Sequence, residues 1–252
     1  MTVWDSVSAW RARRLAMEGQ SIGFVPTMGA LHRGHASLVE RCRGENQIAV
    51  VSIFVNPAQF NDPRDLDRYP RPLASDLELL GQLGVDHVLA PAAAELYPHG
   101  YAFHLEAAGC TDLMEGAHRP GFLQGVMTIV MKLLHLVSAH RAYFGEKDFQ
   151  QLRTVAAMAE EFFLTTEIVA CPTVRAPSGL AESSRNRLLS AAGLETAACL
   201  YRILTTAATV EKAAEALRAE GLSVDYVEEH WGRRFAAAWL EGVRLIDNVP
   251  IG

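Results

Sequence analysis

Apolar positions along this chain follow two alternating rhythms. The segments 21–26 (SIGFVP), 48–55 (IAVVSIFV) and 86–90 (DHVLA) are short and nearly continuous in hydrophobic residues, the second strongly β-branched. Runs of this kind, without polar alternation, predict strands covered on both faces. Between them, Leu38, Val39 and Cys42 in 35–42 share a helical face, and Leu73, Leu77, Leu80 and Leu83 recur at helical spacing before Gly84 stops the run. Strand, helix, strand, helix, strand implies right-handed crossovers and a parallel, doubly wound sheet. Further on, 121–137 predicts a long buried helix, 141–144 a strand, 149–162 an amphipathic helix and 167–170 a short closing strand.

The pattern changes near Val174. The piece Arg175-Ala-Pro-Ser-Gly179 reads as a linker, and 190–220 is alanine-rich and helical, with Leu194, Ala197, Ala198 and Tyr201 predicted on one face. Strand-like pieces follow at 222–227 and 242–247. The expected organisation is an α/β domain over 1–174 and a smaller α+β domain over 175–252, with no internal repeat and no low-complexity segment.

Composition narrows the function classes. A formal net charge of −6 and a pI near 5.8 argue against nucleic acid or an anionic membrane as the main partner. The longest apolar stretch, around 125–137, is interrupted by Lys132 and His135 and falls short of the roughly 20 residues that span a bilayer. Charges in MTVWDSVSAWRARR occupy the place of a signal peptide's apolar core, so a cytoplasmic protein is expected. Cys42, Cys110, Cys171 and Cys199 are scattered, which fits reduced thiols better than disulfides or a zinc knuckle.

Four polar clusters stand out, three of them where a predicted strand gives way to a helix, the edge at which parallel sheets bind ligands. The first is Pro26-Thr-Met-Gly-Ala-Leu-His-Arg-Gly-His35. His32 and His35 lie one helical turn apart, Gly34 admits a phosphate close to the backbone, and amides at a helix N-terminus favour an anion. Two imidazoles there can donate hydrogen bonds to a phosphate as charge builds on it. Two histidines at this spacing can also simply fill space, and zinc would require further ligands at suitable spacing, which the chain lacks. The second cluster, Ile53-Phe-Val-Asn-Pro-Ala-Gln-Phe60, offers the neutral amides of Asn56 and Gln59 to hydroxyl or carboxylate oxygens, although Asn-Pro is also a turn signal.

The third, Phe144-Gly-Glu-Lys-Asp-Phe-Gln-Gln-Leu152, carries Lys147, and the chain's only other lysines are Lys132 and Lys212. An ammonium beside glycine at a sheet edge can follow moving phosphate charge; a helix-capping charge cluster with Asp148 as N-cap is the plainer reading. Of Gln150 and Gln151, only one can point inward. The fourth, Gly179-Leu-Ala-Glu-Ser-Ser-Arg-Asn186, combines hydroxyls, arginine and loop amides suited to clamping phosphates, or to capping a helix.

Taken together and in order, PTMGALHxGH, IFVNPxQF, YFGEKDFQQL and GLAxSSRN closely resemble the pantothenate synthetase (pantoate–β-alanine ligase) family, within the HxGH nucleotidyltransferases. Arg68-Tyr-Pro-Arg71, Met114-Glu-Gly116, Arg119-Pro-Gly121, Pro172-Thr-Val-Arg175 and Arg244-Leu-Ile-Asp-Asn248 agree as well, so the resemblance runs from about Met17 to Val249. It implies a Rossmann-like domain and a second domain bearing a mobile phosphate-binding loop. It further implies ATP-dependent activation of pantoate as an adenylate, magnesium-assisted release of pyrophosphate, transfer to the amine of β-alanine, and a homodimer. By the same resemblance, Met28, Gly29, Ala30, Leu31, His32, Arg33, Gly34 and His35 would line the ATP site, His35 as proton donor and His32 at the α-phosphate. Gly145, Glu146, Lys147 and Asp148 would contact ATP, and Val174, Glu182, Ser183, Ser184 and Arg185 would complete its clamp. Gln59 and Gln151, with Asn56 beside them, would hold pantoate, and Asp76 would be a magnesium ligand.

Three departures bear on this picture. Phe122 stands where the family commonly has histidine, Glu182 stands at a usual leucine or methionine position, and the chain is short between Val227 and Gly242. They motivate a competing expectation, a non-catalytic relative that binds but does not turn over. A third, an HxGH nucleotidyltransferase acting on a phosphorylated alcohol, is disfavoured by the neutral glutamine pair, since such a substrate calls for more cationic residues.

Overall fold

Seven strands belong to the first two-thirds of the chain: β1 (Thr2–Trp4), β2 (Ile22–Thr27), β3 (Ile48–Ile53), β4 (His87–Leu89), β5 (Pro98–Tyr101), β6 (Arg141–Gly145) and β7 (Glu167–Cys171). All but β5 form one sheet in the order β1-β4-β3-β2-β6-β7, every neighbouring pair parallel. This computed structural model describes residues 1–109 and 112–251; Cys110, expected as a reduced thiol, lies outside them. Helices α1 (Val7–Leu15), α2 (Arg33–Glu45), α3 (Pro63–Arg68), α4 (Leu73–Gln82), α5 (Ala93–Leu96), α6 (Met114–His118), α7 (Phe122–Val137) and α8 (Phe149–Glu161) connect or flank the strands.

The central strands bury both faces: Phe24, Val25, Ala49, Val50 and Val51 are fully enclosed. Helix α7 is apolar nearly all round, with Leu123, Val126, Met127, Val130, Leu133, Leu134 and Val137 in the core, as a helix enclosed on most sides must be. The chain moves outward from β2 through β3 to β4, then returns to the other side of β2 for β6. Strand order therefore reverses between β2 and β6, and a crevice opens beyond the carboxyl ends of strands at such a point.

The last part of the chain holds α9 (Ala191–Ala197), α10 (Cys199–Thr206) and α11 (Val210–Ala219), followed by the antiparallel meander β8 (Ser223–His230), β9 (Arg233–Leu240) and β10 (Val243–Pro250). Leu200, Leu204, Leu217, Leu222, Ala236, Ala238, Leu245 and Val249 pack as its core. Two compact units result. The first is Met1–Leu31, His35–Gly145 and Gln150–Cys171; the second is His32–Gly34, Glu146–Phe149 and Pro172–Gly252.

Four local expectations change. Strands β1, β5 and β9 are additional to the predicted set, and the helical face expected over 194–201 is wrong. Leu194 and Tyr201 are 37% and 36% exposed, while Ala197, Leu200, Ile203 and Leu204 are buried. The helix breaks between α9 and α10, so one face cannot run through 194–201.

Candidate active site

In the first unit, β2 ends in the turn Met28 to Leu31. Gly29 and Ala30 both have left-handed backbone (φ +77° and +50°), a conformation that costs a residue with a Cβ about 1–2 kcal/mol. Asp76 on α4 holds the turn. It is 3% exposed, its Oδ2 accepts from the Ala30 amide at 2.8 Å, and its Oδ1 accepts from the Leu31 amide at 2.8 Å. The Gly29 amide donates to Thr27 Oγ1 (3.1 Å), which donates in turn to the Ser52 carbonyl (2.7 Å). A Cβ on Gly29 would lie 2.9 Å from Asp76 Oδ2, which explains the glycine. Each carboxylate oxygen thus serves one backbone amide, and Asp76 clamps the turn. His35, in the first turns of α2, is half-buried.

The loop after β3 divides its two amides between different tasks. Asn56 is 1% exposed and its hydrogen-bonding capacity is spent internally. Nδ2 donates to Gln59 Oε1 (3.0 Å) and the Gly125 carbonyl (3.1 Å), while Oδ1 accepts from Tyr97 Oη (2.7 Å) and, more loosely, from the Ala58 amide (3.4 Å). Burial pushes the Tyr97 phenol well above its usual value, so it stays a donor. Asn56 thus supports Gln59 and ties it to α7. With Oε1 of Gln59 taken by Asn56, the Gln59 NH₂ is the part left to address a ligand.

Arg119 donates to the Gln59 carbonyl (3.2 Å), pairs with Glu115 (3.3 Å) and stacks over the Phe122 ring at 3.6 Å. The unusual Phe122 is thus a buried platform for an arginine. Of the neighbouring glutamines, Gln150 is the structural one: Oε1 accepts from the Glu115 amide (3.0 Å) and Nε2 donates to the Leu113 carbonyl (2.9 Å). Gln151 is half-buried.

In the second unit, the Gly34 amide donates to His32 Nδ1 at 3.1 Å. Nδ1 therefore carries a lone pair, and the neutral ring keeps its proton on Nε2, which makes it a donor. A Cβ on Gly34 would meet the His32 ring at 2.9 Å and stand 3.6 Å from Glu182 Cβ, so glycine keeps the imidazole in place. Lys147 Nζ lies 3.8 Å from Asp148 Oδ1, a loose contact, with the lysine side chain 19% exposed. Carbonyls of Glu146 and Lys147 both accept from Asn248 on β10, a contact with no precedent in the motif reading. Ser183 Oγ accepts from the Arg185 amide at 3.3 Å and so caps a short 3-10 turn, Ser184–Leu188, in which Ser184 is buried and Arg185 half-buried. The Glu182 amide donates to the Val174 carbonyl (3.0 Å), closing the turn that leads to these residues. The candidate residues thus fall into two sets. Met28 to Leu31, His35, Gln59, Gly145 and Gln151 belong to the first unit; His32 to Gly34, Glu146 to Asp148, Val174 and Glu182 to Arg185 belong to the second.

A parallel sheet whose strand order reverses beside a glycine-containing turn, with polar side chains in the loops that follow its strands, defines the doubly wound α/β class. The model of the pantoate–β-alanine ligase family matches residues 2–250. Pantothenate synthetase from Legionella pneumophila is 47% identical over 252 residues (98% of this chain, 99% of the relative), and that from Bdellovibrio bacteriovorus is 46% identical over 243 residues (96% and 95%). Among solved structures, pantoate–β-alanine ligase from Francisella tularensis, complexed with β-γ ATP and β-alanine, matches with TM-score 0.95 and 38% identity, covering 99% of this chain and 97% of that one. Pantothenate synthetase from Thermus thermophilus matches with TM-score 0.92 and 42% identity over 99% of both chains. The chain belongs to the pantoate–β-alanine ligase family.

Proposed function

We propose that the protein condenses pantoate with β-alanine in two steps at the expense of ATP. In the first, the pantoate carboxylate attacks the α-phosphorus and pyrophosphate leaves, giving pantoyl adenylate. In the second, the β-alanine amine attacks the acyl carbon and AMP leaves, giving pantothenate. The observation that carries this reading is the Francisella relative, which matches over nearly the whole chain and was solved with β-γ ATP and β-alanine bound.

The residues divide the work accordingly. The Nε2–H of His32 donates to an α-phosphate oxygen, and His35 donates a proton as charge develops there. The ammonium of Lys147 follows charge toward the departing pyrophosphate, and Met28 to Leu31, Arg33, Gly34, Gly145, Glu146, Asp148, Val174 and Glu182 to Arg185 complete the nucleotide site. The NH₂ of Gln59 and the amide of Gln151 hold pantoate, with Asn56 behind Gln59. Positioning and charge stabilisation supply the rate, since a carboxylate needs no strong base to attack. Magnesium, when bound, neutralises phosphate charge. We read residues 175–252 as the nucleotide lid, and the protein as a cytoplasmic homodimer, in line with the family.

Pantoate-dependent exchange of pyrophosphate into ATP tests this reading. Removing one preorganised donor commonly costs about 100–1,000-fold, so His35→Ala and Lys147→Ala should each lose exchange on that scale with the fold retained. Exchange near the parent rate in both variants would refute the site.

A further inference from the structure

Asn248 is 1% exposed and sits next to the buried Asp247 (3%), in a strand whose remaining buried residues, Val243, Leu245 and Val249, are apolar. A buried amide is costly unless all its polar atoms are engaged, and these are. Nδ2 donates to the carbonyls of Glu146 and Lys147, each at 2.9 Å, and Oδ1 accepts from Arg233 Nε. The Arg233 guanidinium also lies 3.5 Å from the Glu146 carboxylate and 4.7 Å above the Phe149 ring. The backbone of Asn248 is tied as well: its amide donates to Asp247 Oδ1 (2.8 Å), and its carbonyl accepts from Arg175 Nη2 (3.2 Å). Arg175 and Asp247 form a two-bond pair at 2.6 and 2.9 Å, and Arg175 Nη1 reaches the Gly179 carbonyl at 3.1 Å. The Tyr201 ring covers that guanidinium at 4.0 Å.

One network therefore grips two chain segments: 146–149, which bears Lys147, and the turn from Val174 to Glu182, which leads into Ser183 to Arg185. We infer that Asn248, backed by the Arg175–Asp247 pair, is a positioning residue that sets the backbone of Lys147 for the first half-reaction. The inference rests on the proposed role of Lys147. Its carboxylate neighbour Asp148 lies 3.8 Å from the ammonium, a loose contact, so the aim of the lysine depends on where the main chain starts it. Asparagine suits the place because two N–H bonds leave one nitrogen toward two successive carbonyls, while its oxygen remains for Arg233. Aspartate has the shape without the donors.

The test uses the full chain in four forms: parent, Asn248→Ala, Lys147→Ala and the double variant. Each is assayed for pantoate-dependent pyrophosphate exchange and for consumption of pre-formed pantoyl adenylate by β-alanine. Asn248→Ala should lose about 30–100-fold in exchange, the scale of a misplacement near 1 Å, and less than about threefold in the second half-reaction. In the Lys147→Ala background the same substitution should add nothing, because its effect runs through the lysine. Hydrogen exchange should quicken at amides 146–149. Losses that multiply in the double variant, or parent-like exchange in Asn248→Ala, overturn the inference while leaving the role of Lys147 intact. Parent-like exchange in Lys147→Ala overturns that role and the inference with it. Should Asn248→Ala fail to fold, Asn248→Asp keeps the acceptor for Arg233 and removes both donors; it should show the same loss, and normal exchange in it refutes the inference.

Discussion

Gly125→Ala sets two physical effects against each other at one atom. Gly125 lies inside α7, where alanine should stabilise the helix by up to about 1 kcal/mol. A Cβ there, however, would stand 2.3 Å from the Ala58 carbonyl oxygen, 2.6 Å from its carbon and 2.9 Å from the Gln59 amide nitrogen. Ordinary contact begins at 3.4 Å, so the 3-10 turn Pro57–Gln59 must retreat by about 1 Å or the helix must shift by as much. The turn is not loose: Asn56 bonds both Gln59 Oε1 and the carbonyl of Gly125 itself. Overpacking of this kind costs about 1–3 kcal/mol, and set against a helical gain of up to about 1 kcal/mol it leaves an expected net loss of up to about 2 kcal/mol. A displacement near 1 Å at a substrate-holding group is worth about 100-fold in kcat/KM. The loss should fall on pantoate, with the KM for ATP close to the parent value. Denaturant midpoints and pantoate titrations of pyrophosphate exchange measure both quantities. A variant more stable than the parent, with unchanged pantoate kinetics, would show that the helix and turn do not constrain Gln59 as argued.

Asp76→Asn replaces one acceptor oxygen with an NH₂ that faces a backbone amide. Each lost charge-assisted bond is worth about 1.5–3 kcal/mol, so a stability loss of about 2–4 kcal/mol is expected while the magnesium dependence of exchange stays put. A magnesium requirement raised tenfold or more would make Asp76 a ligand. His87, packed between Trp4 and Trp10 and accepting from Trp4 Nε1 at 3.3 Å, has its pKa lowered chiefly by burial. The unfolded chain then binds the proton at higher pH than the folded one. Stability should rise with pH between the depressed folded value and about 6.5 and be lost on acidification through that window. Thermal midpoints of His87→Gln across pH 5–8 should show a flatter slope there; an unchanged slope assigns the effect elsewhere.

The contrast between legible and illegible elements follows from how burial imprints on sequence. β2 and β3 are covered on both faces and show continuous apolar runs, so their pattern survives without knowledge of their neighbours. β1 is a three-residue edge strand, largely exposed, and carries no such imprint. β9 reads Arg-Arg-Phe-Ala-Ala-Ala-Trp-Leu, and alanine on both faces erases the period of two while favouring helix locally; pairing with β8 and β10 overrides that preference. The signal that could have found it lies in the turns. Trp231-Gly232 and Glu241-Gly242 both take positive φ at each residue, as two-residue hairpin turns require, and they bracket that eight-residue run.

At the site, polarity at strand ends was visible, but whether a polar group is already spent was not. Asn56 and Gln59 look interchangeable in Asn-Pro-Ala-Gln, as do Gln150 and Gln151 in Phe-Gln-Gln-Leu. The choice is made by partners far along the chain: Tyr97 and Gly125 for the first pair, Leu113 and Glu115 for the second. A buried amide whose oxygen and nitrogen both face protein atoms has nothing left for a ligand, so it serves the frame. One whose oxygen alone is held presents an oriented NH₂ at no further ordering cost when substrate arrives. By that accounting Asn56 and Gln150 are the frame, and Gln59 is the residue whose loss should appear in substrate binding before it appears in stability.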